Sequence, residues 1–265
     1  MKDLKISIIG CGNLGLSIIQ GLLESGIISA SNLTATKRNL NPLSPLKEKG
    51  VQITSDNKQA VLTADMVILA VKPYNVQPIL ESLKPELKEK KPILISVATG
   101  ITIQEIKDWT ALDLPIFRAM PNTATDVKQS ITSICLQGAN KKEEDLVSQL
   151  FKSLGEVVYI PEDLMEAATV LGACGIAYVM RFIRAMIQGG IQIGFDANTA
   201  STIVNHAVKG ASELLITRGE HPEFEIDKVT TPKGCTITGL NEMEHNGFSS
   251  SLIKGIVSSY QKIEK

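Results

Sequence analysis

The stretch Lys5-Ile6-Ser7-Ile8-Ile9-Gly10-Cys11-Gly12-Asn13-Leu14-Gly15 constrains this chain more than any other. A short apolar run stops at Gly10, and the G-x-G-x-x-G spacing then feeds Leu16, Ile19, Leu22 and Leu23, an amphipathic pattern that ends at Gly26. The reading is strand, tight turn, helix. Gly10 permits the turn, Gly12 lets a diphosphate approach the backbone, and Gly15 lets the helix pack closely on the strand. The N–H groups of the helix start, at Asn13 and Leu14, face the anion. A plain glycine-rich turn is the competing reading, but the flanking strand and helix favour a dinucleotide.

The next strand says which dinucleotide. Asn32 to Thr36 ends about twenty residues after the glycines, where an NAD enzyme would place an acid on the ribose hydroxyls. From Ile27 to Lys47 there is no acidic side chain. The strand runs instead into Thr36, Lys37, Arg38 and Asn39, and a hydroxyl, two cations and an amide suit a dianionic 2'-phosphate. NADP, with NADPH as the working form, is therefore expected over NAD, which stays possible; a solvated basic loop is the bland alternative.

Composition excludes several classes. The 27 basic and 28 acidic residues nearly cancel and form no block, so no nucleic-acid footprint exists. Cys11, Cys135, Cys174 and Cys235 are scattered without a C-x-x-C pair, which fits reduced thiols in a cytoplasmic protein and neither a zinc site nor a disulfide framework. The first apolar run leads straight into the glycine turn and does not read as a signal peptide. Ala167 to Met180 is uncharged, but Arg181 and Arg184 interrupt it short of the roughly 20 residues of a membrane span, so no membrane partner is expected.

Strand and helix patterns alternate through residues 1–160, with buried runs at Met66 to Val71, Pro92 to Ala98, Pro115 to Ala119 and Ile131 to Leu136. Such alternation predicts an α/β fold, a doubly wound and mostly parallel sheet with its site at the strands' carboxyl ends. Gly10, Thr36, Lys72, Ala98 and Met120 fall there. Residues 161–265 read as wholly helical. Leu164, Ala168, Leu171, Gly175, Tyr178, Phe182 and Met186 keep helical spacing for about seven turns, ending at Gly189-Gly190 and apolar enough to be buried nearly all round. Asp196 caps a second helix. A helical half this apolar, rich in small residues, predicts burial against another subunit and at least a homodimer. Thr231 as N-cap with Pro232 at the first helical position predicts a further helix start, an anion-binding end.

Several stretches together carry a family resemblance: Gly10 to Gly15, Val71-Lys72-Pro73, Ser96-Val97-Ala98-Thr99-Gly100-Ile101, Arg118-Ala119-Met120-Pro121-Asn122-Thr123, Ala177-Tyr178-Val179, His221-Pro222, and Val229 to Thr236 with Ile237 and Gly239-Leu240. The chain resembles pyrroline-5-carboxylate reductase, the enzyme of the last step of proline synthesis, along almost its whole length. The Met-Pro-Asn-Thr and Thr-Thr-Pro-x-Gly-x-Thr-Ile stretches are the specific ones. The resemblance implies an N-terminal Rossmann-like domain binding NADP and an all-α C-terminal domain that dimerises and often builds larger rings. It implies a pyrroline carboxylate, an imino acid, lying against the helix start. The Thr231 hydroxyl and the N–H groups of Gly234, Cys235 and Thr236 would hold its carboxylate, and the Thr236 hydroxyl would face the ring nitrogen as the catalytic group. Ala70, Val71, Lys72, Pro73, Ala98, Met120, Pro121 and Asn122 would line the nicotinamide pocket, Asn122 reaching the substrate.

The chemistry agrees. Reducing a carbonyl calls for a strong acid, whereas a protonated imine already carries the positive charge that hydride neutralises, so an anion cradle and a hydroxyl suffice. His206, His221 and His245 lack metal spacing and read as surface or capping residues. Tyr178 reads as buried with a satisfied hydroxyl, Lys72 as pocket backbone, and Cys11 as phosphate-loop backbone with an incidental thiol, although a helix start could lower its pKa. Departures from the family pattern stand at Gly172 to Ile176, at Lys233 where a glycine is usual, and at Ala124. They leave open a paralogue reducing another cyclic imine or a non-catalytic NADP-binding regulator. A beta-hydroxyacid dehydrogenase is the third alternative, weakened because Arg181 cannot shuttle a proton.

Overall fold

In the computed structural model, which describes residues 1–263, the chain forms two compact units. Met1–Cys174 with residues 260–263 makes the first, and Gly175–Ser259 the second.

The first unit is built on an eight-stranded sheet. Its elements are β1 (Ile6–Ile9), α1 (Asn13–Ser25), β2 (Leu33–Thr36), α2 (Ser44–Glu48), β3 (Gln52–Thr54), α3 (Asn57–Leu62), β4 (Met66–Leu69), α4 (Val76–Lys90), β5 (Ile93–Ser96), α5 (Ile103–Thr110), β6 (Ile116–Met120), β7 (Ser130–Gln137), α6 (Lys141–Lys152) and β8 (Gly155–Tyr159). The order β3-β2-β1-β4-β5-β6-β7-β8 reverses direction between β1 and β4. That reversal opens a crevice at the carboxyl ends of the strands. β1, β4 and β6 are buried along their whole length, as strands covered by helices on both faces must be. Each fully buried aliphatic side chain there contributes roughly 1.5–3 kcal/mol of transfer free energy.

All strand pairs are parallel except β6 with β7, which run antiparallel. Strict alternation would have made this pair parallel too. Residues 121–129 hold only a 3-10 turn, Thr123–Val127, and so short a link cannot make a crossover.

The stretch after Pro161 is helical but not uniform. A 3-10 turn, Glu162–Leu164, leads into α7 (Met165–Ala168), then a π segment, Thr169–Cys174, and then α8 (Gly175–Gln192). Asn122 Nδ2 donates to the Gly172 carbonyl at 3.0 Å, supplying a partner inside the widened turn that hydrophobic spacing does not register. The helix also runs through Gly189-Gly190 instead of stopping there. A Cβ at Gly190 would lie 3.1 Å from the Ala200 Cβ, so this glycine serves close packing on α9 (Ala197–Arg218). Asp196 caps α9 as expected, its Oδ1 accepting from the N–H groups of Asn198 and Thr199.

The second unit continues with α10 (Pro222–Val229), α11 (Cys235–His245) and, up to Ser259, α12 (Phe248–Ile263). Phe182 packs on Phe248 with ring centroids 6.0 Å apart, and the Tyr178 hydroxyl meets Ser259 Oγ at 2.6 Å. The expectation that α8 is buried all round fails within one chain: none of its residues is buried. Met180, Ile193, Ile216 and Ile253 are all at least 60% exposed. The continuous helical stretch Glu162–Gln192 is long and apolar enough to cross a membrane by length and composition, Arg181 and Arg184 notwithstanding.

Candidate active site

A cleft of about 810 Å³ opens where β1, β2, β4 and β5 end. Gly10, Cys11, Gly12, Asn13 and Leu14 form one wall, Thr36, Lys37 and Arg38 another, and Ala70, Val71, Lys72, Pro73 and Ala98 a third. Sequence reasoning brought these residues together, and it missed Ser55, Asn57, Asn75, Ile79, Val97, Thr99 and Thr123, which line the same cleft. Ser55 and Asn57 follow β3, so the end of that third strand was the signal available for them.

The cleft suits a polyanion. Gly12 is the N-cap of α1, no side chain caps that helix end, and a Cβ at Gly12 would meet nothing within 4 Å. The N–H end of α1 therefore faces open space. Gly10, at φ +89°, leaves its would-be Cβ 2.2 Å from Val71 Cγ1, so only glycine fits the turn. Among the described residues, the lining carries three cations, Lys37, Arg38 and Lys72, and no carboxylate. A volume in this range is ordinary for a cofactor site.

Other expected site residues lie elsewhere. Gly15 sits against the Gly10 carbonyl and Ala70 Cβ, where a Cβ would meet them at 3.1 and 3.3 Å, so it serves helix-to-strand packing. Asn39 is exposed, its Oδ1 accepting from the Asn41 N–H at 3.1 Å. Met120 and Pro121 are buried outside the cleft lining. Asn122 is 5% exposed, and its carboxamide holds the Ala124 N–H and the Gly172 carbonyl, both at 3.0 Å. That makes Asn122 a local cap in the first unit, with both ends of its carboxamide already engaged. Cys11 is not activated: burial pushes its thiol up to about 12, outweighing hydrogen bonding to Thr36 and the charge of Lys37.

In the second unit, Thr231 is not the N-cap. Thr231-Pro232-Lys233-Gly234 forms a reverse turn in which the Gly234 N–H donates to the Thr231 carbonyl at 2.9 Å and Lys233 has φ +60°. Proline in second place and a left-handed residue in third are the marks of a type II turn. A left-handed residue cannot be helical, so α11 starts only at Cys235, with Gly234 as N-cap. Gly234 therefore spends its N–H inside the turn. The N–H groups of Cys235 and Thr236 begin a helix with no side-chain cap and no acid in its first turn, an end that favours anions. His221 caps α10, its Nδ1 accepting from the Glu223 N–H at 3.3 Å. Among the described residues no group of His, Cys, Asp and Glu could hold a metal ion.

Comparison with known proteins decides the family. Residues 162–265 match the family model described as pyrroline-5-carboxylate reductase dimerisation, and residues 5–100 that of an NADP oxidoreductase, coenzyme F420-dependent. Pyrroline-5-carboxylate reductase 2 of Dictyostelium discoideum is 42% identical over 276 residues, covering 98% of this chain and 92% of that protein. The chain belongs to the pyrroline-5-carboxylate reductase family. It is 42% identical to pyrroline-5-carboxylate reductase 1 of the same organism as well, spanning half of that longer protein's length. The crystal structure of a Plasmodium falciparum pyrroline carboxylate reductase with NADP bound superposes with a TM-score of 0.91 at 25% identity, covering 99% of this chain and 98% of that one. The first unit, with its Rossmann-like, mostly parallel sheet, and the helical second unit thus have the fold of the reductase family.

Proposed function

We propose that this member of the family carries out the NADPH-dependent reduction of 1-pyrroline-5-carboxylate to L-proline through two anion-binding ends, one in each unit. The cleft of the first unit, within residues 1–160, takes the nucleotide, its diphosphate on the start of α1 and its 2'-phosphate beside Arg38. Bound NADPH supplies the hydride. The α11 start, within residues 161–265, takes the substrate carboxylate on the Cys235 and Thr236 N–H groups, with the Thr231 hydroxyl beside them. The Thr236 hydroxyl holds the ring nitrogen, which is protonated before reduction and carries no charge to be created in the transition state, so positioning dominates the catalysis. The observation that carries this reading is an acid-free cleft built on the glycine turn, in a chain whose relatives match along its whole length.

The exposed apolar faces of α8 and α12 are covered by a second copy, making a homodimer the smallest assembly, in the cytoplasm and without membrane or nucleic acid. The dimerisation description of residues 162–265 supports this cover over a lipid one.

A crystal soaked with NADP and proline is the test: density for the diphosphate is expected at Gly12 to Leu14 and for the proline carboxylate at Cys235 and Thr236. Nucleotide density elsewhere contradicts the reading. Arg38→Asp is expected to raise the NADPH KM about ten- to a hundredfold, because a repelling charge replaces an attractive one beside the 2'-phosphate. An unchanged preference for NADPH over NADH in steady-state kinetics removes Arg38 from that role.

A further inference from the structure

The motif at the end of β2 reads as four groups for one phosphate, yet two of them face the protein. The Cys11 N–H donates to the Thr36 carbonyl at 2.8 Å, and the Gly10 N–H donates to Thr36 Oγ1 at 3.2 Å. The Lys37 ammonium donates to the Cys11 carbonyl at 2.8 Å. Three bonds thus lace the end of β2 to the glycine turn. The peptide unit between Cys11 and Gly12 is gripped on both sides, its carbonyl by Lys37 and its N–H by the Gly10 carbonyl at 2.8 Å.

That peptide leads directly into the N-cap of α1. A planar peptide that runs into a glycine can rotate as a unit, and a rotation would turn a carbonyl dipole toward the open side, where an anion is to lie. We propose that Lys37 is a positioning residue that holds the phosphate turn in its binding orientation, leaving Arg38 as the one cation of the pair that distinguishes a phosphorylated from a plain ribose. The inference rests on the cleft being the nucleotide site. Its consequence is specific: Lys37 acts on what NADPH and NADH share, whereas Arg38 acts on what separates them.

The test compares Lys37→Met, Lys37→Arg and Arg38→Met with the unaltered protein. Two quantities are read: dissociation constants for NADPH and NADH by fluorescence titration, and amide hydrogen exchange of Cys11 to Leu14 in ligand-free protein. Loss of one charge-assisted hydrogen bond is expected to weaken both nucleotides by the same factor, about tenfold, in Lys37→Met. Its kcat at saturating NADPH stays within about twofold, because a turn that is occupied is already in place. Exchange at Cys11 to Leu14 quickens, and Lys37→Arg, which keeps the cation, restores both readouts. Arg38→Met weakens NADPH alone. The proposal is overturned if Lys37→Met weakens NADPH but spares NADH, or if it changes neither the constants nor the exchange. Should the unaltered protein bind neither nucleotide, the cofactor reading fails instead, and the exchange comparison still decides the role of Lys37.

Discussion

Thr236→Val is expected to lower kcat on the order of a hundredfold while the NADPH KM stays within about twofold. A hydrogen bond to a charged group contributes roughly 1.5–3 kcal/mol, and each 1.4 kcal/mol lost from the transition state is about tenfold in rate. Valine keeps the shape and branching of threonine, so the helix start that offers the Cys235 and Thr236 N–H groups is retained. The residue is the second of α11 and exposed, and its hydroxyl makes no hydrogen bond among the described residues, so the change breaks nothing internal. Steady-state kinetics in both substrates checks it. Full activity in the variant removes the hydroxyl from the reaction; an equal rise in both KM values at constant kcat makes it a binding group only.

The largest effect on stability is expected from Arg118→Ala, a loss of about 3–5 kcal/mol. Arg118 lies on β6 with its side chain 3% exposed, and it pairs with Glu162 at 3.1 Å and Glu166 at 2.6 Å. Glu162 Oε1 also accepts from the Ile103 N–H at 2.7 Å, so one guanidinium gathers β6, the start of α5 and the first turns after Pro161. Removing the cation leaves the Glu166 carboxylate, 20% exposed and with Oε2 already unpartnered among the described residues, without its counter-ion. In thermal denaturation the midpoint falls by roughly 10 °C, taking 2–4 °C per kcal/mol for a domain of this size. Arg118→Met combined with Glu162→Gln and Glu166→Gln recovers much of the loss, since neutral neighbours no longer need a partner. A midpoint within about 1 °C of the unaltered protein in Arg118→Ala contradicts this account of the cluster.

What could be read from the residues alone follows from what local pattern encodes. The glycine turn, the buried β4 and β5 runs, and the acid-free stretch after β2 are local signals, and each fell where the cleft is. The capping carboxylate of Asp196 was equally local. The partners of side chains were not. Nothing in Thr36-Lys37 says that the lysine will turn back 26 positions in sequence to the Cys11 carbonyl, or in Arg118 that two glutamates beyond Pro161 will meet it. The engagement of Asn122 was hidden for the same reason, because its partner, the Gly172 carbonyl, lies in a π turn that the hydrophobic period cannot express. The antiparallel β7 was legible and overlooked: no helical pattern separates it from β6. At Thr231 a correct motif carried a wrong boundary, because Lys233 takes the left-handed position that glycine ordinarily fills and delays the helix to Cys235. That same substitution places a cation, exposed and without an ion pair among the described residues, beside the end that is to hold a carboxylate.

One measurement reaches the centre of the matter: the purified protein is given NADPH and 1-pyrroline-5-carboxylate, and nucleotide consumed is compared with proline formed. Equimolar consumption and formation, at a rate that falls sharply when NADH replaces NADPH, is the expected result. No consumption with the five-membered imine, together with turnover of a 3-oxo acid or of no substrate at all, would contradict it.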